Sequence, residues 1–342
     1  MSVSESREAP RAESLSAKAR RLDLFSQKTI VFAIFVVVFV GLSLFLPGFF
    51  TLSNLLALLQ NVAILGILGL GMALIVIGRG IDISMIASLA VPPGVLLQLV
   101  QNGYSVPVAF LAALATAIAF GLVNGWLIAY AEIPSLFTTL ASGLFLAGAG
   151  QVFFFQIDVV QWGSALGSLD WIGRGHLLGI PKPVVMFIVA GLLTTAFLRR
   201  TRLGTFVYAV GDNPSTARAT GVPTRPLVVL QYLLASLIAA FAGLVMAASL
   251  ESMPTRVFNS TLIYDVVLVV VLGGIGLSGG RGSVSNVVIG TLLIGTMLNG
   301  MTILDLSYSA QNLIKGMILL IAVVFDSIAN PRNEETTQQG DI

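Results

Sequence analysis

The stretch TRLGTFVYAVGDNPSTARATGV, residues 201–222, is a polar island between two long apolar runs. A chain that only had to lie in lipid has no use for a compact, well-capped helix at this point. Asn213 is a good N-cap, Pro214 suits the first helical position, and Gly221 suits the residue just past the end. The helix between them spans about seven residues, roughly 10 Å at 1.5 Å per residue. Arg199, Arg200 and Arg202 stand just before it, which places it on the cytoplasmic side of a membrane. An ordinary inter-helix loop is the plainer reading of the same residues.

The rest of the chain supports the membrane reading. Its 342 residues are 56% hydrophobic and 10% charged, with a mean hydropathy of +0.95, whereas soluble domains carry about 25% charge. Ten apolar stretches qualify as spans: 30–49, 54–78, 84–101, 107–130, 135–154, 182–198, 226–250, 262–277, 284–301 and 310–328. The expected fold is therefore an all-α polytopic membrane protein of about ten transmembrane helices. A polar N-terminal tail covers 1–29, one transmembrane domain covers 30–328, and a polar C-terminal tail covers 329–342. Ten crossings put both termini on one side. With the N-terminus inside, the inner segments hold fourteen of the eighteen basic residues. Arg174, Lys182 and Arg256 fall outside, and Lys315 lies within a span. The asymmetry reads as N-in, C-in, with an inner loop over about 199–225 and an outer loop over about 155–181. Trp162 and Trp171 in the outer loop suit interfacial anchors, or a surface that receives a partner.

Composition also excludes function classes. The basic residues cluster at helix ends, so the +2 net charge does not indicate nucleic acid. There are no cysteines and one histidine, His176, which rules out a thiolate nucleophile, a sulfur metal site and a multi-histidine metal cluster. The stretch LSGGRGS, residues 277–283, resembles the signature loop of ABC ATPases but is enclosed by apolar spans. None of the four lysines stands in a GxxxxGK[ST] phosphate loop, so the chain cannot hold ATP by that mechanism. Gly279 and Gly280 read instead as part of a tight helix junction.

Glycine is abundant in the spans, as at Gly66, Gly69, Gly71, Gly148 and Gly150, and Gly143 with Ala147 forms a small-xxx-small pair suited to close helix approach. One internal echo pairs Gly80-Ile81-Asp82-Ile83-Ser84 with Gly274-Ile275-Gly276-Leu277-Ser278, each at a junction between spans. Repeated halves with broken helices are common near transport paths. Asp82 is a carboxylate between two apolar stretches, a placement costing roughly 2.5–3.5 kcal/mol at the bilayer centre. Arg79 is its expected local partner. The pair either meets water in a short turn or lines a cavity, where Gly78 and Gly80 supply backbone freedom. Asn124, Thr138, Thr139 and Asn299 suit hydroxyl-rich ligands, with interhelical hydrogen bonding as the alternative for each. Asp265 is expected at headgroup level, and Lys315 is expected to snorkel to the nearer interface.

Taken together, these residues resemble the permease subunit of ribose-type ABC sugar importers. The resemblance rests on GRGIDIS (78–84), NGWLIAYAEIPSLFTTLASG (124–143), RTRLGTFVYAVGDNPSTARATGV (200–222), LGGIGLSGGRGS (272–283) and NLIKGMILLIAVVFD (312–326). It departs at Arg79, where the family usually has a second glycine, and at Met85 and Ile86, where valine-glycine is usual. It departs again at Ile263, where glutamate is common. The resemblance implies a multi-pass protein of the bacterial inner membrane with the ABC importer permease fold. It also implies a second permease copy in a homodimer or heterodimer, a periplasmic sugar-binding protein, and a cytoplasmic ATPase that binds ATP and magnesium, leaving this chain without a cofactor. The family's coupling helix would map onto Asp212, Asn213, Pro214, Ser215, Thr216, Ala217, Arg218, Ala219, Thr220 and Gly221. Candidates for the path and its gating are Gly80, Asp82, Ser84, Asn124, Thr138, Thr139, Gly274, Ser278, Gly279, Gly280 and Asn299. The substrate class is a pentose, deoxyhexose or related polyol, with a nucleoside or furanosyl signal as the alternative. An ion-coupled secondary transporter is the rival class, for which Asp82, Asp265 and Lys315 are the ionisable candidates. A membrane enzyme lacks paired carboxylates within any span.

Overall fold

The computed structural model describes residues 27–155 and 157–329. The tails expected over 1–29 and 329–342 lie outside the described residues apart from 27–29 and Ala329. So do Arg7, Arg11, Lys18, Arg20, Arg21 and Arg332. Each expected span corresponds to a helix: α1 (Gln27–Phe45), α2 (Leu52–Ile77), α3 (Met85–Gln101), α4 (Val106–Ala129), α5 (Ser135–Ala149) and α6 (Lys182–Arg200) come first. Two short helices follow, α7 (Arg202–Asp212) and α8 (Pro214–Ala219), and then α9 (Thr224–Leu250), α10 (Leu262–Leu272), α11 (Val284–Ile303) and α12 (Tyr308–Ala329). A π-helical turn, Gly150–Phe154, prolongs α5. Seven of these helices are long and apolar enough to cross a membrane, while α3, α10 and the stretch Tyr308–Val324 of α12 are shorter. The span expected over 262–277 stops at Leu272, because Gly274 takes a left-handed φ of 89° and ends the helix.

Burial follows the apolar pattern. From Val62 to Ile77, α2 is buried on nearly every side, as expected of a helix that is apolar all round. It is enclosed by α6, α9, α10 and α11. α3 is enclosed in the same way, by α4, α5 and α9. It carries Pro92 and Pro93 in its interior, and Pro93 has no N–H to give the Leu89 carbonyl. α9 closes over that oxygen at Gly243, where a Cβ would stand 1.8 Å from it. α4 and α9 approach just as closely at Gly121 and Gly125, where a Cβ would meet α9 backbone at 2.7 and 2.6 Å. Small residues permit such approach where lipid supplies no hydrophobic drive between helices. By contrast α1 is apolar and mostly exposed, with Val37 and Phe45 facing outward. Such a surface suits contact with acyl chains.

The loops over 157–181 and 251–261 fold together. Val159–Gln161 (β1) pairs antiparallel with Ser252–Pro254 (β4), and a second ribbon joins His176–Leu177 (β2) to Ile180–Pro181 (β3). The Trp162 indole donates to Asp170 at 2.8 Å, and Arg174 bridges Asp170 and Glu251 at 3.1 and 2.6 Å. Trp162 is therefore built into this cap, while Trp171 remains exposed.

Candidate functional site

Three stretches that lie far apart in sequence meet at one end of the bundle. The first is the polar island, which forms two helices rather than one. The Thr201 hydroxyl caps α7 by accepting from the Gly204 amide at 3.0 Å, and Gly204, Val207, Val210 and Gly211 form its buried face. Asn213 is extended and caps α8, its side chain accepting from the Thr216 amide at 3.0 Å, with Pro214 at the first helical position. The end of α8 is a Schellman motif: the Val222 amide donates to the Ala217 carbonyl, the Gly221 amide donates to that of Arg218, and Gly221 has φ 84°. The six-residue helix is about 9 Å long. Ala217 is buried, whereas Ser215, Thr216, Arg218, Ala219 and Thr220 face outward.

The second and third stretches are the helix junctions, 78–84 after α2 and 273–283 after α10. Both helices end in the same way. Arg79 and Gly80 donate to Val76 and Ile75, and Gly274 and Ile275 donate to Val271 and Val270, two Schellman ends in register. The structural echo therefore pairs Arg79 with Gly274, one residue away from the sequence echo that pairs Gly80 with Gly274. The shift arises because the residue past the helix end must be left-handed, and that residue is Arg79 (φ 69°) in one junction and Gly274 (φ 89°) in the other.

The three stretches touch through backbone. The Gly280 amide donates to the Ile77 carbonyl at 2.8 Å. Gly211 is wedged against the same pair, where a Cβ would stand 1.8 Å from the Ile77 oxygen and 2.5 Å from the Gly280 nitrogen. Arg79 ties all three together: Nε donates to the Ser278 carbonyl at 2.7 Å and Nη2 to the Asp212 carbonyl at 3.2 Å. The Tyr208 hydroxyl of α7 adds a bond to the Gly282 carbonyl at 2.9 Å. The expected Arg79–Asp82 partnership is corrected accordingly. The intervening chain is unwound, so residues three apart do not share a helix face, and the guanidinium goes to two carbonyls instead.

Asp82 is buried, not in a water-facing turn. It accepts from the Ser84 hydroxyl, and Ser84 accepts from Asn124 Nδ2 at 2.9 Å. Outside either flanking helix, its carboxyl is pushed up to about 6 by burial, which outweighs the lowering by the Ser84 hydroxyl and the Ser84 and Met85 amides. Side chains from α5 and α9 hold the strand around it. Ile81 and Ile83 amides donate to Ser135 and Thr139 hydroxyls at 3.2 and 3.1 Å. Tyr232 donates to the Ile81 carbonyl at 3.3 Å, and Gln231 to the Leu74 carbonyl at 3.0 Å. Asn124 Oδ1 is buried without a hydrogen-bond partner among the described residues. The second junction is held by Asn286, which donates to the Gly273 carbonyl at 2.7 Å.

Residues 54–323 match the family described as branched-chain amino acid transport system / permease component. The chain belongs to this permease family. The permease is 33% identical over 306 residues to the ribose import permease protein RbsC of Escherichia coli K12, covering 89% of this chain and 94% of the relative. It is 33% identical over 271 residues to the galactofuranose transporter permease protein YtfT of the same organism, covering 79% and 78%. To the L-arabinose transport system permease protein AraH it is 31% identical over 299 residues, covering 86% and 88%. No solved structure matches the permease.

The candidate residues of the permease fall into three groups. Gly80, Asp82, Ser84, Asn124 and Thr139 gather around the first junction, with Thr138 beside them, its hydroxyl turned to the Ile133 carbonyl at 3.4 Å. Gly274, Ser278, Gly279 and Gly280 form the second junction. Asn299 lies apart from both: it exchanges amide hydrogen bonds with Asn54, both at 2.9 Å, and so clips α11 to α2. Sequence reasoning passed over Tyr208, Gly211, Ser135, Gln231, Tyr232 and Asn286. Of these, the Gln231–Tyr232 pair was visible as polar residues inside an apolar span. It also missed that Lys315 and Asp265 find each other as a buried ion pair at 2.9 Å. Both are buried within the protein, and Lys315 also donates to the Thr261 hydroxyl at 3.0 Å.

Proposed function

We propose that this permease is the membrane-spanning subunit of an ATP-driven bacterial importer that translocates a monosaccharide across the inner membrane. The substrate class is a pentose, deoxyhexose or related polyol. Relatives named for ribose, arabinose and galactofuranose at about one-third identity over most of the chain support it. The galactofuranose relative favours, as a second reading, a furanosyl solute within the same class of machine. An ion-coupled transporter is less well supported, because two of its three candidate charges neutralise each other in the Lys315–Asp265 pair.

In this reading the N- and C-termini are cytoplasmic, the ten apolar helices form one permease domain over 30–328, and α8 faces the cytoplasm. A separate ATPase binds ATP and magnesium and grips α8 through residues 212–221, a periplasmic binding protein delivers the sugar, and a second permease copy completes the path. The observation that carries the coupling role is the backbone contact of Gly211 with Ile77 and Gly280. A push on α8 passes through α7 to both junctions with no side chain between to absorb it. Asn124 Oδ1 is then an acceptor open to a sugar hydroxyl once the helices part.

Reconstitution tests the proposal. The permease alone in liposomes hydrolyses no ATP. Together with its ATPase and binding protein it accumulates a labelled pentose only when ATP is supplied. Hydrolysis by the isolated permease, or uptake driven by a proton or sodium gradient without ATP, overturns the reading.

A further inference from the structure

A cleft of ≈ 250 Å³ opens where α6 ends, between that helix, α7 and the start of α11. Its lining mixes polar groups, Arg199, Ser283 and Ser285, with the aliphatic side chains of Leu198, Val284 and Val288. Tyr208 also lines the cleft, its hydroxyl donating to the Gly282 carbonyl at 2.9 Å. A second cation stands at the rim, because Lys28 of α1 donates to the Ser285 hydroxyl at 2.8 Å. Neither Arg199 nor Lys28 has a carboxylate partner among the described residues, although every arginine of the outer cap, Arg174 and Arg256, is paired.

Position adds to chemistry. Leu192 and Leu193 are exposed on α6, about two turns before Arg199, roughly 10 Å along the axis. An apolar, outward-facing helix surface that turns basic over that distance marks the boundary between acyl chains and headgroups. A cavity at this boundary lined by a guanidinium, hydroxyls and aliphatic side chains, with Lys28 bonded to one of those hydroxyls, matches a phosphate joined to a hydrocarbon. Guanidinium binds phosphate through paired N–H groups, hydroxyls add donors, and basic pockets between membrane helices suit anionic headgroups. A free phosphate would leave the Leu198, Val284 and Val288 side chains without use.

We propose that this cleft binds the phosphate headgroup of an anionic phospholipid, with Arg199 and Lys28 on the phosphate and Leu198 and Val288 against the start of an acyl chain. The site borders Tyr208 and the Gly282–Ser283 segment, so a bound lipid braces α7 against the second junction. The proposal depends on the chain lying in a membrane and on nothing further about transport.

The test uses purified, delipidated permease without ATP or partner proteins. Native mass spectrometry follows retention of phosphatidylglycerol, phosphatidylcholine or inorganic phosphate, and thermal melts follow stabilisation. The expected result is one retained phosphatidylglycerol and a raised Tm, with no comparable effect of phosphatidylcholine. Arg199→Gln combined with Lys28→Gln lowers retention at least tenfold. Val288→Trp, which fills the cleft and leaves the charges intact, does the same. Equal retention of phosphatidylcholine, or phosphatidylglycerol retention unchanged in both variants, overturns the proposal. Equal stabilisation by inorganic phosphate that disappears in the double variant assigns the site to a soluble anion and likewise overturns it.

Discussion

Arg79 stands where the second junction has Gly274, with φ 69° and its guanidinium on the Ser278 and Asp212 carbonyls. Two substitutions separate the backbone cost from the side-chain gain. Arg79→Ala keeps the left-handed strain and removes the guanidinium. Arg79→Gly removes both. The part-buried bond to Ser278 is worth about 1.5–3 kcal/mol as a charge-assisted bond, and the exposed bond to Asp212 about 0.5–1 kcal/mol. A left-handed non-glycine residue costs about 1–2 kcal/mol. The alanine variant therefore loosens the tie by about 2–4 kcal/mol, and the glycine variant recovers 1–2 kcal/mol of that. Hydrogen exchange on the purified permease reads the result directly at segments 76–84, 208–213 and 276–282. Exchange rises in all three segments together, more for alanine than for glycine, by roughly five- to thirtyfold where the difference is 1–2 kcal/mol. In the reconstituted importer the ratio of ATP hydrolysed to sugar moved rises in the same order. Equal exchange in the two variants, or a rise confined to the residues around 79, refutes the reasoning.

Three further outcomes follow from the same geometry. Gly221→Val forces a β-branched residue into φ 84° at the end of α8; membrane insertion stays normal, while co-purification with the ATPase or coupling of its hydrolysis is lost, and unchanged transport counts against the lever. Lys315→Met strands a buried carboxylate on Asp265 and costs about 3–5 kcal/mol in thermal or denaturant melts; Asp265→Leu combined with Lys315→Met restores most of it, and a double variant as weak as the single would contradict the pairing. Burial pushes the Asp82 carboxyl up to about 6, above its ordinary 3.8. The folded state thus holds the proton more tightly, and stability rises as pH falls through 6 toward 4. Asp82→Asn abolishes that slope, which a pH series of melting temperatures measures.

What the sequence disclosed and what it withheld divide along the range of the forces involved. Asn213, Pro214 and Gly221 could be placed because capping is settled within a few residues of chain. The apolar helices could be placed because span length and composition are local sums. α7 was hidden because Gly204 and Gly211 depress helix propensity and its apolar face has only a few members, so the segment reads as loop. The glycines are there for close approach to other chain segments, which no local rule detects. The echo between the junctions was visible, but its register was not, since matching letters do not say which residue takes the left-handed turn. The Asp265–Lys315 pair joins residues fifty positions apart on two helices, and neither periodicity nor spacing connects them. Asn299 was legible as a polar residue in a span, but its partner was not: the amide clip to Asn54 joins residues 245 positions apart.

Transmission of a thrust depends on where slack is absent. Side chains between two elements can change rotamer and absorb a displacement, but Gly211, Ile77 and Gly280 meet backbone to backbone. A shift of α7 and α8 by more than a few tenths of an ångström must break the Gly280–Ile77 bond or carry both junctions with it. The first junction in turn is bonded to Ser135 and Thr139 of α5 and, through Ser84, to Asn124 of α4. Movement delivered there reaches two further helices at once. The next element along the chain, α3, is the one built to bend, because Pro92 and Pro93 remove two successive rungs of its hydrogen-bond ladder. In the proposed coupling, tight backbone contact at α7 and missing rungs in α3 put stiffness and compliance in series. A permease that converts a short thrust at its surface into rearrangement of its core requires that order.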